Sequence, residues 1–213
     1  MTIDHDDLIK SIIESIDRID NLSSSDIPNV DLYMDQVTTF INKHLKATSR
    51  YPGEDKILTK TMINNYAKND LLPPPVKKKY TKEHIVLLIF IYYSKGLLSI
   101  TDIQSMLEPL TERFFESEGD VNMCSIFDEL FSKDDFLRES LKKDIEEKYS
   151  KSLETFKDAP KDDEDLLRLF SFIFMLGYDV YAKKLLVEKL LDTYGDLFST
   201  YEESNKKEKK KKD

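Results

Sequence analysis

The sequence predicts an all-α protein, with a small helix-turn-helix unit and basic wing followed by a helical C-terminal domain. Three observations carry this. The 213 residues include only five glycines and no tryptophan, and Lys, Glu, Leu, Ile and Asp abound, a mix that favours helix. Apolar residues recur at helical spacing along most of the chain. Residues 56–82, KILTKTMINNYAKNDLLPPPVKKKYTK, carry seven lysines against Asp70, net +6 inside a chain of net −9.

Taken in order, Leu8, Ile9, Ile12, Ile13, Ile16 and Ile19 predict an amphipathic helix over 4–20. Asn21–Pro28 (NLSSSDIP) reads as a loop. Asp31 suits the cap of a second helix through Leu45, with Leu32, Val37, Phe40, Ile41 and Leu45 on its apolar face. Lys46–Asp55, with Pro52-Gly53, reads as a loop. Thr59 is the N-cap of a short helix over 60–69. Pro73-Pro74-Pro75 cannot continue a helix, so Val76–Tyr80 is expected to be extended. Thr81 caps the next helix, 82–95, whose run Ile85–Tyr93 marks it as central core, and Gly96 suits its C-terminal cap. Ser99, with Asp102 three residues on, caps a helix over 100–108. Beyond Pro109 only helices are expected, over 122–131, 134–156 and 163–194, with Pro160 between the last two. Leu166–Tyr178 (LLRLFSFIFMLGY) is apolar nearly all round, so it should be buried, in this protomer or against another, with Gly177 a place for a bend.

These elements divide the chain into an N-terminal amphipathic helix at 1–26, the helix-turn-helix unit at 27–108, a helical C-terminal domain at 109–203 and a disordered Lys-rich tail at 204–213. Charge is also divided along the chain: residues 1–31 hold eight acids against two bases, and 108–203 hold 25 acids against 13 bases.

Several classes are excluded. Cys124 is the single cysteine, and His5, His44 and His84 lie far apart, so neither an internal disulfide nor a metal site is expected. The five glycines are isolated, which leaves no phosphate loop. Acid pairs such as Asp134-Asp135 and Asp162-Asp163 sit at predicted helix starts, where they favour the positive end of the dipole. Neither catalysis nor a cofactor is expected. The acidic N-terminus is unlike a signal peptide, and Ile85–Tyr93 is too short to span a bilayer, so the expected location is cytoplasmic, away from membranes.

The functional reading rests on 56–82. In helix 60–69, Lys60, Thr61, Asn64, Asn65 and Lys68 supply polar groups, while Ile63 and Tyr66, with Leu71, supply an anchoring side. A helix that reads base edges in the major groove needs this division. Lys77, Lys78 and Lys79 follow, as cations suited to backbone phosphates.

The order of these elements resembles the DNA-binding domain of the MerR family of transcription regulators. The segment LTKTMINNYAKNDLLPPPVKKKYTKEHIVLLIFI is similar to that family's recognition helix, its "GLLPP" exit, its wing and its next helix start. SITDIQSML at 99–107 resembles its following helix. The segments TKTMINNY and LLPPPVKKKY also resemble the DUF1836 (YkrK-like) group of uncharacterised bacterial proteins. The MerR resemblance implies Thr59 as cap of the recognition helix and Tyr66 as a backbone-contacting tyrosine. It implies Tyr80 as the residue that closes the wing, and Lys77–Lys79 as the basic wing. Asn64 stands where those regulators place an arginine, Asn65 replaces their first tyrosine, the wing is shorter and the loop before helix 60–69 is longer.

The expected role is therefore transcription regulation through double-stranded DNA, with Lys60, Thr61, Asn64, Asn65, Tyr66, Lys68, Lys77, Lys78 and Lys79 as the contact set. A homodimer is expected, because such readers gain affinity from two half-sites. The aromatic C-terminal block leaves room for an effector or a protein partner. The competing reading is a protein-interaction module that uses the same scaffold without DNA.

Overall fold

The computed structural model describes residues 5–17, 22–46, 49, 51 and 57–209, with residues 5, 6, 8 and 194–209 as backbone alone. The protein is mostly helical. It divides into two compact units, one of residues 22–129 with 184–213, the other of residues 1–21 with 130–183.

The first unit opens with a 3-10 turn, Ser24–Asp26. Strand β1 (Leu32–Tyr33) and helix α2 (Met34–His44) follow. The predicted helix start at Asp31 is therefore corrected. Leu32 and Tyr33 are in a strand, and the helix begins only after them. Tyr33 is the N-cap residue, and its amide donates to Gln36 Oε1 at 2.9 Å. Leu32 is buried either way, so helical spacing alone could not tell strand from helix here.

Helix α3 (Lys60–Lys68) has the predicted cap, with Thr59 Oγ1 accepting from the Met62 amide at 3.2 Å. It ends before the prolines. Asp70 adopts a left-handed backbone (φ 57°), and the Leu71 amide donates back to the Tyr66 carbonyl at 3.0 Å. That is a Schellman stop, with an aspartate where glycine is usual. Leu71 and Leu72 behind it are buried.

Strand β2 (Lys79–Tyr80) pairs antiparallel with β1, Leu32 opposite Tyr80 and Tyr33 opposite Lys79. Helix α4 (Lys82–Ser94) is the centre of the unit. His84, Ile85, Val86, Leu87, Leu88, Ile89 and Ile91 are each at most 1% exposed, so it is buried on every side. It contacts α2, β2 and the helix that follows it, Ile100–Phe114. Its cap is Lys95, in a right-handed conformation, with Gly96 in the turn beyond.

Helix α5 (Ile100–Phe114) has the predicted capping box. Asp102 accepts from the Ser99 amide at 3.2 Å, and Ser99 Oγ accepts from the Asp102 amide at 3.1 Å. It then runs through Pro109, where the sequence predicted an end. A mid-helix proline costs about 3 kcal/mol. Burial of Ile103 and Leu107 in the preceding turns offsets this, and the Thr111 hydroxyl donates to the Leu107 carbonyl at 2.9 Å. Residues 109–129 therefore stay within this unit. Helix α6 (Met123–Phe131) buries Phe127, whose ring lies 5.7 Å from that of Phe90. Asp128 on α6 accepts from both the amide and the hydroxyl of Ser24 at 2.6 Å, tying together residues 104 positions apart.

The second unit contains helix α1 (His5–Ile16), helix α7 (Asp134–Leu153) and the first part of helix α8 (Lys161–Lys209). Of the predicted helix 4–20, residues 4 and 18–20 lie outside the described residues. Ile9, Ile16, Ile145 and Phe172 form the core, flanked by Ile12, Ile13, Tyr149 and Leu176. Helix α8 is continuous through Gly177, with no break there. It also continues through 204–209, a stretch expected to lack structure. Lysine and glutamate are good helix formers, which allows this, and 210–213 lie outside the described residues. Of Leu166–Tyr178, expected to be buried in this protomer or against another, only one side is buried within the protomer. Phe172 is buried, but Leu166, Phe170, Ile173, Phe174 and Tyr178 are exposed within the chain. One side of the helix faces the core of its unit, and the other faces out. Among the described residues, no helix is long and apolar enough to cross a membrane.

Candidate nucleic-acid interface

Helix α3 separates its residues as the sequence predicted. Ile63 and Tyr66 are buried, while Lys60, Thr61, Asn64, Asn65 and Lys68 are exposed. At roughly 100° per residue, those five fall within an arc of about 140°. The structure thus brings five of the nine candidate residues onto one outward face. Tyr66 is on the other side. Its ring anchors the helix, and burial pushes its phenol up from the usual tyrosine range.

Two residues the sequence did not single out hold the launch point of α3. Asn42 on α2 donates to the Leu58 carbonyl at 3.1 Å and accepts from the Ile57 amide at 3.0 Å. The Lys95 amine donates to the Ile57 carbonyl at 2.8 Å and lies 4.8 Å from the Tyr92 ring centroid. Burial pulls this lysine below its usual value. A polar Asn inside a helix and a Lys at a helix end carry no sequence signal for such roles. Thr38, Thr39, Asn42, Thr59, Lys60 and Thr61 line an open groove where α2 meets the start of α3. Asp35 on α2, also missed, pairs with Lys60. Both side chains are mostly exposed, so the pair contributes at most about 1 kcal/mol and a phosphate can compete for the lysine.

The wing differs from the expected extended segment. Val76–Lys79 is a tight β-turn, closed by the Lys79 amide donating to the Val76 carbonyl at 2.9 Å. Its central residues, Lys77 and Lys78, have φ of 52° and 65°. This is the turn that matches the twist of a two-residue hairpin, and it normally selects Asn-Gly. A left-handed conformation costs an L-residue roughly 1–2 kcal/mol. Both lysines sit exposed at the tip. Lys79 is less exposed, in β2, its amine 5.5 Å from the centroid of the Tyr33 ring across the strand pair.

Behind the wing lies His84, buried on α4. Its Nδ1 accepts from the Thr81 amide at 3.0 Å, which leaves the proton on Nε2. Nε2 is buried near the Pro73 and Pro74 carbonyls without a well-formed hydrogen bond. Tyr80 and Phe115 meet the ring edge-on at 5.5 and 4.9 Å. Burial holds the imidazole below its usual range. The unfolded chain therefore takes up a proton more readily than the fold. Stability is full above pH about 6.5 and falls as pH drops from there through the depressed value. His84→Gln keeps an acceptor at this capping position without titrating. Its stability deficit at pH 8 should shrink as pH falls to 5, as read from urea midpoints. A deficit constant with pH would mean that His84 does not carry this dependence.

Among the described residues, no three His, Cys, Asp or Glu side chains cluster to hold a metal ion. The sequence profile described as Domain of unknown function (DUF1836) matches residues 22–130. The chain belongs to the DUF1836 family. The DUF1836 match coincides with the continuous part of the first compact unit, residues 22–129, whose ends Ser24 and Asp128 tie together. All nine candidate residues therefore lie within the DUF1836 segment. No curated protein and no solved structure matches the chain.

Proposed function

We propose that the DUF1836 domain is a MerR-like winged helix-turn-helix that binds double-stranded DNA in transcription regulation. In this reading, the outward face of α3 enters the major groove. Asn64 and Asn65 offer neutral hydrogen bonds suited to adenine edges. Lys60, Lys68 and the three wing lysines neutralise flanking phosphates. The β1–β2 pairing supports the reading by fixing the wing on the scaffold that carries α3, since α2 touches α3 and both strands.

The observation that carries it is the turn at Lys77-Lys78. Two bulky cations occupy left-handed positions where Asn-Gly would form the same hairpin at lower cost. Strain of this kind concentrates at functional positions, and what these side chains bring to the tip is positive charge.

The test is DNA binding titrated against salt. Each phosphate neutralised contributes a slope of about −0.9 in the log–log plot. Replacing Lys77, Lys78 and Lys79 together by alanine should weaken binding and flatten the slope by up to about 2.7. An unchanged slope would remove the wing from the interface. Two observations favour a protein partner instead. Lys60 is engaged by Asp35, and Asn64 supplies no charge where MerR proteins have arginine. Binding to an acidic protein with no measurable affinity for DNA in low salt would select that alternative.

A further inference from the structure

Helix α8 carries two apolar faces. Phe172 and Leu176 on one pack against Ile145 and Tyr149 of α7. The opposite face is bare. Leu166, Phe170, Ile173, Phe174, Tyr178 and Tyr181 are each 59–68% exposed. They share an arc of about 140°, with Gly177 inside it. Phe170, Phe174 and Tyr178 form a ladder, successive ring centroids 6.4 Å apart and the planes tilted by 28° and 25°.

We infer that this face is covered by a second copy of the chain, α8 against α8 and antiparallel. The first argument is area. Six side chains, each exposing about three-fifths of roughly 200 Å², leave about 700 Å² bare per protomer. Pairing two copies buries about 1,400 Å², within the range of stable specific interfaces. The second is fit. About a two-fold axis between Ile173 and Phe174, Phe170 of one copy meets Gly177 of the other, Leu166 meets Tyr181, and Ile173 meets Phe174. Such an interface is closed and self-complementary. A Cβ built on Gly177 meets nothing within 4 Å in its own chain, so no neighbour there requires glycine. Glycine in mid-helix costs about 1 kcal/mol relative to alanine. A phenylalanine from a second copy needs that space. The third is charge. Asp163 stands at one end of the row and Lys184 at the other, both within the same arc. Antiparallel pairing sets opposite charges together, whereas parallel pairing sets like against like. None of this depends on DNA binding.

The test is the mass of the full chain by sedimentation equilibrium. The wild type should be a dimer at about 100 µM, a hundredfold above a micromolar Kd. Phe174→Glu should be a monomer with unchanged helical circular dichroism. Gly177→Leu, whose Cβ meets nothing within 4 Å in the protomer, should weaken association at least tenfold without lowering its melting temperature. This variant keeps the test decisive if Phe174→Glu fails to fold. In a Cys124→Ser background, Phe174→Cys should cross-link to itself on mild air oxidation and Leu166→Cys should not. A monomeric wild type at that concentration, including one that binds an unrelated protein through this face, would overturn the proposal. So would a Gly177→Leu dimer as tight as wild type, or equal cross-linking at both cysteines.

Discussion

Replacing Lys77 by asparagine and Lys78 by glycine will strengthen the fold and, on the proposed function, weaken DNA binding, two effects of opposite sign from one turn. Both lysines hold left-handed backbones in the β-turn that joins Val76 to Lys79. Asn-Gly adopts that turn with little strain, so relief of roughly 1–2 kcal/mol per residue is available. The flexibility glycine adds to the unfolded chain takes back part of it. A net gain of about 1 kcal/mol should raise the melting temperature by a few degrees. Losing the two proposed phosphate contacts, each near 0.9 in slope, should lower affinity roughly 60-fold at 0.1 M salt. Lys77→Arg with Lys78→Arg separates the two effects, since it keeps both the charge and the strain. That variant should bind DNA like wild type and gain no stability. If Asn-Gly stabilises the protein and leaves DNA affinity untouched, the lysines are an ordinary solvated turn.

Leu88→Ala is expected to have the largest effect on stability. Leu88 is fully buried, in the helix whose residues from His84 to Ile89 are all buried. Because α4 meets α2, β2 and α5, the void cannot close by movement of one neighbour. Leucine-to-alanine changes at such sites cost about 2.7–5 kcal/mol, and more as the residual cavity grows. A domain stable by 5–15 kcal/mol thus loses a large part of its margin. Urea unfolding should show a much lower midpoint with an unchanged slope. Exposed Leu97, at 47%, is the control, and its alanine variant should stay within about 0.5 kcal/mol of wild type. A loss below 1 kcal/mol at Leu88 would mean that α4 is not the rigid centre of the unit.

Much of the DUF1836 unit is legible in the residues because its signals are local. The Thr59 hydroxyl and the Ser99–Asp102 box mark helix starts by chemistry that acts within one turn. The run Ile85–Tyr93 marks α4 as core because few positions outside a domain centre tolerate so continuous an apolar stretch. The outward face of α3 follows from spacing alone. Other features depend on distant partners. Leu32 and Tyr33 have helix-compatible spacing, and only their pairing with Tyr80 and Lys79 makes them a strand. Lys77-Lys78 has none of the glycine or asparagine that announces a tight turn, so the turn is imposed by its surroundings, with Val76 bridged to Lys79 and Lys79-Tyr80 paired with Leu32-Tyr33. Pro109 reads as a helix end, yet α5 passes through it with Ile103 and Leu107 buried.

By itself, then, the sequence determined where the helices capped by Thr59, Thr81 and Ser99 begin, which helix is the core, and which short helix carries a polar face beside a basic island in an acidic chain. These follow from capping chemistry, apolar periodicity and charge, each confined to a few neighbouring residues. Only the tertiary structure decided how that island is shaped. It put Lys77 and Lys78 at a strained tip, took Lys79 into a strand beside Tyr33, turned Tyr66 inward and engaged Lys60 with Asp35. It also decided which apolar face of α8 is covered and which is bare. Periodicity tells that a helix is apolar all round, but the positions of its packing partners decide which side they cover.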